Sequence, residues 1–169
     1  MDASIIILTK NAGKNFFTLL QRLSEQKFDG NYEIIVIDSG STDGTPEAGQ
    51  SFPVKMVRIN PEEFHHGKTR NLGAELSNGR ILVYITQDAL PLHDDWLRGL
   101  TDDLKEPDVA MVVGRQIPWQ DRRDARQVLE HPLRQRLVFG EQQLHGVAIQ
   151  GTGGRGARLH TIFAKIGVK

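Results

Sequence analysis

Ile5–Leu8 is an uninterrupted apolar run, and Ile34–Ile37 is another. Neither alternates with polar residues, which is the pattern of strands covered on both faces in a parallel sheet. Further strands are predicted over Val54–Ile59, Ile81–Ile85 and Val109–Val113, the last ending at Gly114. Between them the period lengthens. Phe16, Phe17, Leu19, Leu20 and Leu23 mark one face of a helix over 15–26. A short helix is predicted around 46–50. A third covers 68–76, with Leu72 and Leu76 at i, i+4 and Asn78-Gly79 closing it. A fourth covers 94–104, carrying Trp96, Leu97, Leu100 and Leu104. Strands alternating with helices throughout 1–114 predict an α/β fold: a mostly parallel sheet, right-handed crossovers and helices on both faces.

In such sheets ligands bind beyond the carboxyl ends of the strands. Here those ends carry Thr9-Lys10-Asn11, Asp38-Ser39 and Thr86-Gln87-Asp88. Three polar groups far apart in sequence are therefore expected on one rim. An ionised Asp38 accepts hydrogen bonds from a ribose or a base N–H, or else caps its own turn. Asp88, with Thr86 two residues before it, suits a hard divalent ion shared with phosphates, or else backbone N–H groups. His66-Gly-Lys-Thr-Arg-Asn places Lys68 and Arg70 at a helix start, where the helix dipole also favours an anion. The adjacent His65 and His66 cannot face one point from regular structure, so no metal pair is assigned to them.

Two literal motif matches fail on context. Gly67-Lys68-Thr69 resembles the end of a phosphate loop, but Glu62 stands where that motif needs Gly, and no strand directly precedes it. The run 151–156 spells G-x-G-x-x-G, yet only 13 residues follow it, too few to close a βαβ unit.

Composition narrows the reading. With 38% apolar and 25% charged residues in 169, the chain is an ordinary soluble domain in make-up. The absence of Cys excludes disulfides, Cys-ligated zinc, iron–sulfur clusters and thiol nucleophiles, and suits a reducing compartment. Zero net charge gives no case for nucleic-acid binding. No signal peptide or membrane span is expected from the apolar runs. The charge is uneven, however. Residues 115–169 hold 10 of the 21 basic residues but only 4 of the 21 acidic ones. This Gly- and Arg-rich tail is a candidate for contact with phosphates, an anionic membrane face or a partner.

Four stretches now form a set: 4–11 (Ser-Ile-Ile-Ile-Leu-Thr-Lys-Asn), 33–45 (Glu-Ile-Ile-Val-Ile-Asp-Ser-Gly-Ser-Thr-Asp-Gly-Thr), 66–73 (His-Gly-Lys-Thr-Arg-Asn-Leu-Gly) and 86–91 (Thr-Gln-Asp-Ala-Leu-Pro). In this order they resemble family 2 glycosyltransferases with a GT-A fold, over roughly 4–118. The His-Gly-x-x-Arg-Asn and Gln-Asp-Ala forms are most similar to its rhamnosyltransferase-type branch. The resemblance implies a nucleotide-diphospho-sugar-binding domain over 1–118. Residues 119–169 are then a basic, partly irregular segment with an incomplete acceptor region.

The implied sugar-donor site comprises Thr9, Asn11, Asp38, Ser39, Ser41, Lys68, Arg70, Asn71, Gln87 and Asp88. Thr9 and Asn11 match the lining of the nucleotide pocket, Asp38 the contact to base or ribose, and Asp88 the ligand of Mg²⁺ or Mn²⁺ on the diphosphate. Thr86 stands where the family's first metal-site Asp would be. The implied reaction is inverting sugar transfer to a saccharide or lipid-linked saccharide, in cell-envelope polysaccharide synthesis, in the cytoplasm or at the inner face of the membrane. No general base is assigned; Glu130 and Glu141 are the available carboxylates after 118. The alternative is a non-catalytic nucleotide-binding or interaction module.

Overall fold

A computed structural model describes residues 1–106, 109–114, 135–138 and 163–166. The predicted alternation is present. β1 (Ala3–Thr9), β2 (Tyr32–Asp38), β3 (Lys55–Arg58), β4 (Ile81–Thr86) and β5 (Val109–Val113) are separated by α1 (Asn15–Ser24), α2 (Thr45–Gln50), α3 (His66–Glu75) and α4 (Trp96–Asp102). Two further strands, β6 (Gln135–Val138) and β7 (Phe163–Ile166), come from the segment expected to be partly irregular. The rest of 115–169, including Glu130, Glu141 and the 151–156 glycine run, lies outside the described residues.

The sheet order is β3-β2-β1-β4-β7-β5-β6. β1 pairs in parallel with β2 and with β4, and β2 in parallel with β3. β7 runs antiparallel between β4 and β5, and β6 antiparallel to β5. Strand order reverses at β1, which places a topological switch point between β1 and β4.

Both faces of the central strands are covered, as their unbroken apolar runs require. One face carries Ile5, Ile7, Ile34, Val36, Val83 and Ile85, packed with Phe16, Leu19, Leu20 and Leu23 of α1 and Leu97 and Leu100 of α4. The α1 side chains are fully buried, each contributing roughly 1.5–3 kcal/mol. Phe17, expected on the same stripe, is 49% exposed and packs edge-on against Phe52 instead. Consecutive helical residues lie ~100° apart, so Phe16 and Phe17 cannot both face the sheet.

The opposite face, with Ile6, Leu82 and Tyr84, is covered by α3. Gly73 lets that helix lie close, since a Cβ there would stand 2.5 Å from Ile6 Cγ2. α1 stops two residues before the predicted Gln26 because that buried side chain has another task. It donates to the carbonyls of Arg22 and His93 and accepts the Leu97 N–H at 2.9 Å, joining the end of α1 to the start of α4.

Candidate functional site

Strand register brings the rim together. Thr9 stands opposite Asp38, and Leu8 opposite Thr86. The carboxyl ends of β2, β1 and β4 are therefore neighbours in that order. Because α3 crosses back antiparallel to the strands, its first turn lies at this same edge.

Alternation along the strands then divides the rim residues between the two faces. Thr9 continues the row of Ile5 and Ile7 toward α1, and Asp38 continues that of Ile34 and Val36. Asp38 is fully enclosed. One carboxylate oxygen accepts from Thr9 Oγ1 at 3.1 Å and from the Ser41 hydroxyl. The other accepts the N–H groups of Gly40 and Ser41 at 3.1 and 3.0 Å. Arg58 Nε lies 3.8 Å away. A carboxylate has about four lone-pair sites, and here all four are filled. Asp38 thus holds the turn after β2 in shape.

The loop after β1 is tied down in the same way. Four consecutive N–H groups each meet a distant side chain: Lys10 meets Gln87 Oε1 at 2.7 Å, Asn11 meets Ser41 Oγ at 2.8 Å, Ala12 meets Thr45 Oγ1 at 3.0 Å and Gly13 meets Asp43 Oδ2 at 2.9 Å. Asn11, at φ 49°, returns a bond by accepting the Thr42 N–H at 2.9 Å. The Ser39 hydroxyl donates to the Thr9 carbonyl. The Asp43 carboxyl is held below its usual range, chiefly by the Thr45 hydroxyl, with the Gly13 and Thr45 amides adding to it against a smaller desolvation. Thr9, Asn11, Ser39, Ser41 and Gln87 therefore all enter this knot between the β1 and β2 loops.

The other face is the one covered by α3. Leu8, Leu82 and Tyr84 point toward α3, and Tyr84 donates to the Arg70 carbonyl at 3.1 Å. Thr86 lies two residues further along β4, about 6.6 Å, level with the first turn of α3. Its hydroxyl is enclosed without a hydrogen-bond partner. Lys68 and Asn71 are exposed on α3, and Arg70 is half-buried with its guanidinium on the His66 carbonyl at 3.3 Å. His65 caps the helix, its Nδ1 accepting from the N–H groups of Gly67 and Lys68. His66 packs against Phe64. The two histidines thus serve separate local tasks.

Asp88 is exposed just beyond the end of β4. With the unsatisfied Thr86 hydroxyl two residues before it, this is a sparse set of hard oxygen ligands. It suits a divalent ion that takes its remaining ligands from phosphates and water. Among the described residues no group of three or more His, Asp or Glu could hold a metal unaided.

Lys10 was absent from the sequence-derived site. Its ammonium donates to the carbonyls of Ser39 at 2.9 Å and Gly40 at 2.7 Å. The signal was available: the residue after Thr9 must point to the opposite face.

Comparison with known proteins gives the arrangement a context. The O-antigen chain rhamnosyltransferase RfbN of Salmonella typhimurium is 35% identical over 123 residues, covering 72% of this chain and 39% of that protein. The O-antigen chain rhamnosyltransferase WbaN of Salmonella anatum is 32% identical, covering 70% and 38%. The chain thus spans about two fifths of the length of these curated relatives. The mannosyltransferase PcManGT of Pyrobaculum calidifontis, solved with GDP-Man and Mn²⁺, superposes with a TM-score of 0.60 at 27% identity, over 75% of this chain and 38% of that one. The family model of glycosyl transferase family 2 matches residues 4–163, well past the boundary at 118 expected from the motifs. With that match and relatives above 30% identity, the chain belongs to glycosyl transferase family 2.

Proposed function

We propose that this chain forms the donor-binding part of an inverting glycosyltransferase, taking a sugar from a nucleotide-diphospho-sugar and passing it to a saccharide or lipid-linked saccharide. The observation that carries the reading is the strand order, which reverses between β1 and β4 and so puts a ligand-binding switch point at their carboxyl ends. The first turn of α3, with Lys68 and Arg70, and the end of β4, with Asp88, flank one rim on the α3 side of the sheet. Cations and a helix start suit a diphosphate. The loop after β1 offers no competing cradle, because its N–H groups are already bonded.

Asp88, aided by the Thr86 hydroxyl, is the proposed holder of Mg²⁺ or Mn²⁺. A bound ion would neutralise charge on the leaving diphosphate. The rest falls to the chain: the Thr9–Asp38–Ser41 knot fixes the crevice wall, and Lys68, Arg70 and Asn71 orient the diphosphate. The acceptor hydroxyl oxygen bonds to the anomeric carbon as the bond to the diphosphate breaks, inverting that carbon; the hydroxyl proton passes to a base or to solvent, and the nucleoside diphosphate leaves. Base assistance is worth ~10²–10⁴ in rate. Glu130 and Glu141 lie outside the described residues, so no base is assigned.

The likeness to O-antigen rhamnosyltransferases favours a deoxyhexose donor and an envelope polysaccharide acceptor. The reaction is placed in the cytoplasm or at the inner membrane face. No described helix is long and apolar enough to cross a membrane.

Calorimetry with UDP, dTDP and GDP, with and without Mn²⁺, tests the reading. At least one nucleotide should bind, more tightly with Mn²⁺, and Asp88→Asn should remove the Mn²⁺ dependence. Absence of affinity for all three overturns the proposal. Binding without transfer from a matching donor to any saccharide acceptor supports the binding-module alternative.

A further inference from the structure

We propose that Asn78-Gly79, at the edge of the sheet opposite the rim, is a fold-gated deamidation site: Ser4 and Glu33 hold it intact, and it converts to aspartate or isoaspartate when that corner opens. Of the six asparagines in the chain, this one alone is followed by glycine. Asparagine is a thermolabile residue. Ahead of glycine it is most reactive, because no side chain obstructs attack by the next backbone nitrogen.

The surroundings demand each half of the pair. Gly79 is buried where α3 turns into β4, and a Cβ there would stand 2.4 Å from the Ala3 carbonyl carbon and from the Ser4 nitrogen. Glycine lets the turn lie this close to β1. Its N–H donates to the enclosed Ser4 hydroxyl at 2.8 Å, and that hydroxyl donates in turn to Glu33 Oε1 at 2.6 Å. Asn78 engages the same carboxylate. Its backbone N–H donates to Oε1 at 2.6 Å and its side-chain Nδ2 to Oε2 at 3.3 Å.

Deamidation needs what this corner withholds. The Gly79 nitrogen must lose its proton and bond to Asn78 Cγ. The side-chain nitrogen then leaves as ammonia, and a five-membered succinimide remains. Water opens that ring at either carbonyl, leaving aspartate or isoaspartate at 78, with one water taken up and one ammonia released. In the fold the attacking N–H is spent on Ser4 and the Asn78 amide is held on Glu33. Two residues on, the Ile81 N–H is fixed to the Asp2 carbonyl at 2.9 Å. The ring therefore closes only after a local opening. The change is also one-way. A carboxylate at 78 would face Glu33, setting like charges together where an amide had donated. Isoaspartate would add a carbon to the main chain in a turn already packed against β1.

Peptide mapping of the whole chain, aged in mildly alkaline buffer, tests the assignment. Conversion is read as the mass gained when NH₂ becomes OH, with fragmentation separating Asn78 from Asn71. The folded wild type should convert roughly tenfold or more slowly than the same chain in urea. Ser4→Ala, which removes the Gly79 acceptor, and Glu33→Ala should each recover much of the urea rate. Gln87→Leu, a weakening at the far end of the sheet, should not. Conversion as fast in the folded wild type as in urea overturns the gate. Equal acceleration by Gln87→Leu also overturns it, because the site would then answer to unfolding of the whole sheet. Asn78→Asp carries the product charge and should melt below the wild type. A melting temperature at or above that of the wild type overturns the one-way step.

Discussion

The Gln87 side chain closes on the backbone of Lys10 in both directions, Oε1 accepting the N–H at 2.7 Å and Nε2 donating to the carbonyl at 3.1 Å. A side-chain amide thus extends the β1–β4 ladder past the last regular pair. Gln87→Leu breaks both bonds at an exposed site, for a cost of about 1 kcal/mol. Urea unfolding should show that small loss, while nucleotide affinity falls several-fold as the ends of β1 and β4 separate. Unchanged affinity in a stably folded variant would show that this clamp does not shape the crevice.

Asp38→Asn turns one of two acceptor oxygens into a donor facing donors. A buried carboxylate with four hydrogen bonds loses about 2–4 kcal/mol by such a change. The unfolding midpoint in urea should drop accordingly. A midpoint equal to that of the wild type would mean that Asp38 is not the centre of the knot.

Glu33 sits at the opposite edge of the sheet. It accepts from Ser4 Oγ at 2.6 Å and from the Asn78 backbone N–H at 2.6 Å. Burial pushes its carboxyl up, but the bonds from Ser4 and Asn78, with Lys55 nearby, outweigh that and hold it below its ordinary value. A depressed carboxyl stabilises the fold above its unfolded-state value and ceases to do so as pH falls through the folded-state one. The gap in melting temperature between wild type and Glu33→Gln should therefore be widest near neutrality. It should narrow as pH falls through and below the ordinary carboxylate range. A gap independent of pH would remove Glu33 from the acid response.

His65 caps α3 through Nδ1. His65→Ala should cost about 1 kcal/mol and loosen the turn that presents Lys68 and Arg70, whereas His65→Asn retains a cap acceptor and most of the stability. Thermal melts of the two variants give the comparison. Equal losses would mean that the ring acts by packing rather than by capping.

Much of this was legible from residues alone. Ile5–Leu8 and Ile34–Ile37 could only be strands buried on both faces, and the alternation with helices fixed the rim on which Thr9, Asp38 and Asp88 would meet. The direction of each side chain was harder to read. Thr9 and Asp38 turn toward α1, Lys10 and Thr86 toward α3, and the hydrogen bonds that enclose Asp38 come from residues up to 29 positions away. β6 and β7 escaped notice for a different reason. They are four-residue strands in a Gly- and Arg-rich stretch, and what makes them strands is pairing with β5 and β4 rather than local pattern.

The position of β7 has a consequence for synthesis. The ribosome delivers β1 through β4 early, and those strands can pair as soon as they emerge. The neighbour that β4 needs on its other side arrives some eighty residues later, after β5. Until then the nascent chain presents an open hydrogen-bonding edge, the kind of exposed template on which misassembly begins. Maturation of this molecule is therefore a race between closing that seam and capture of the edge by another chain.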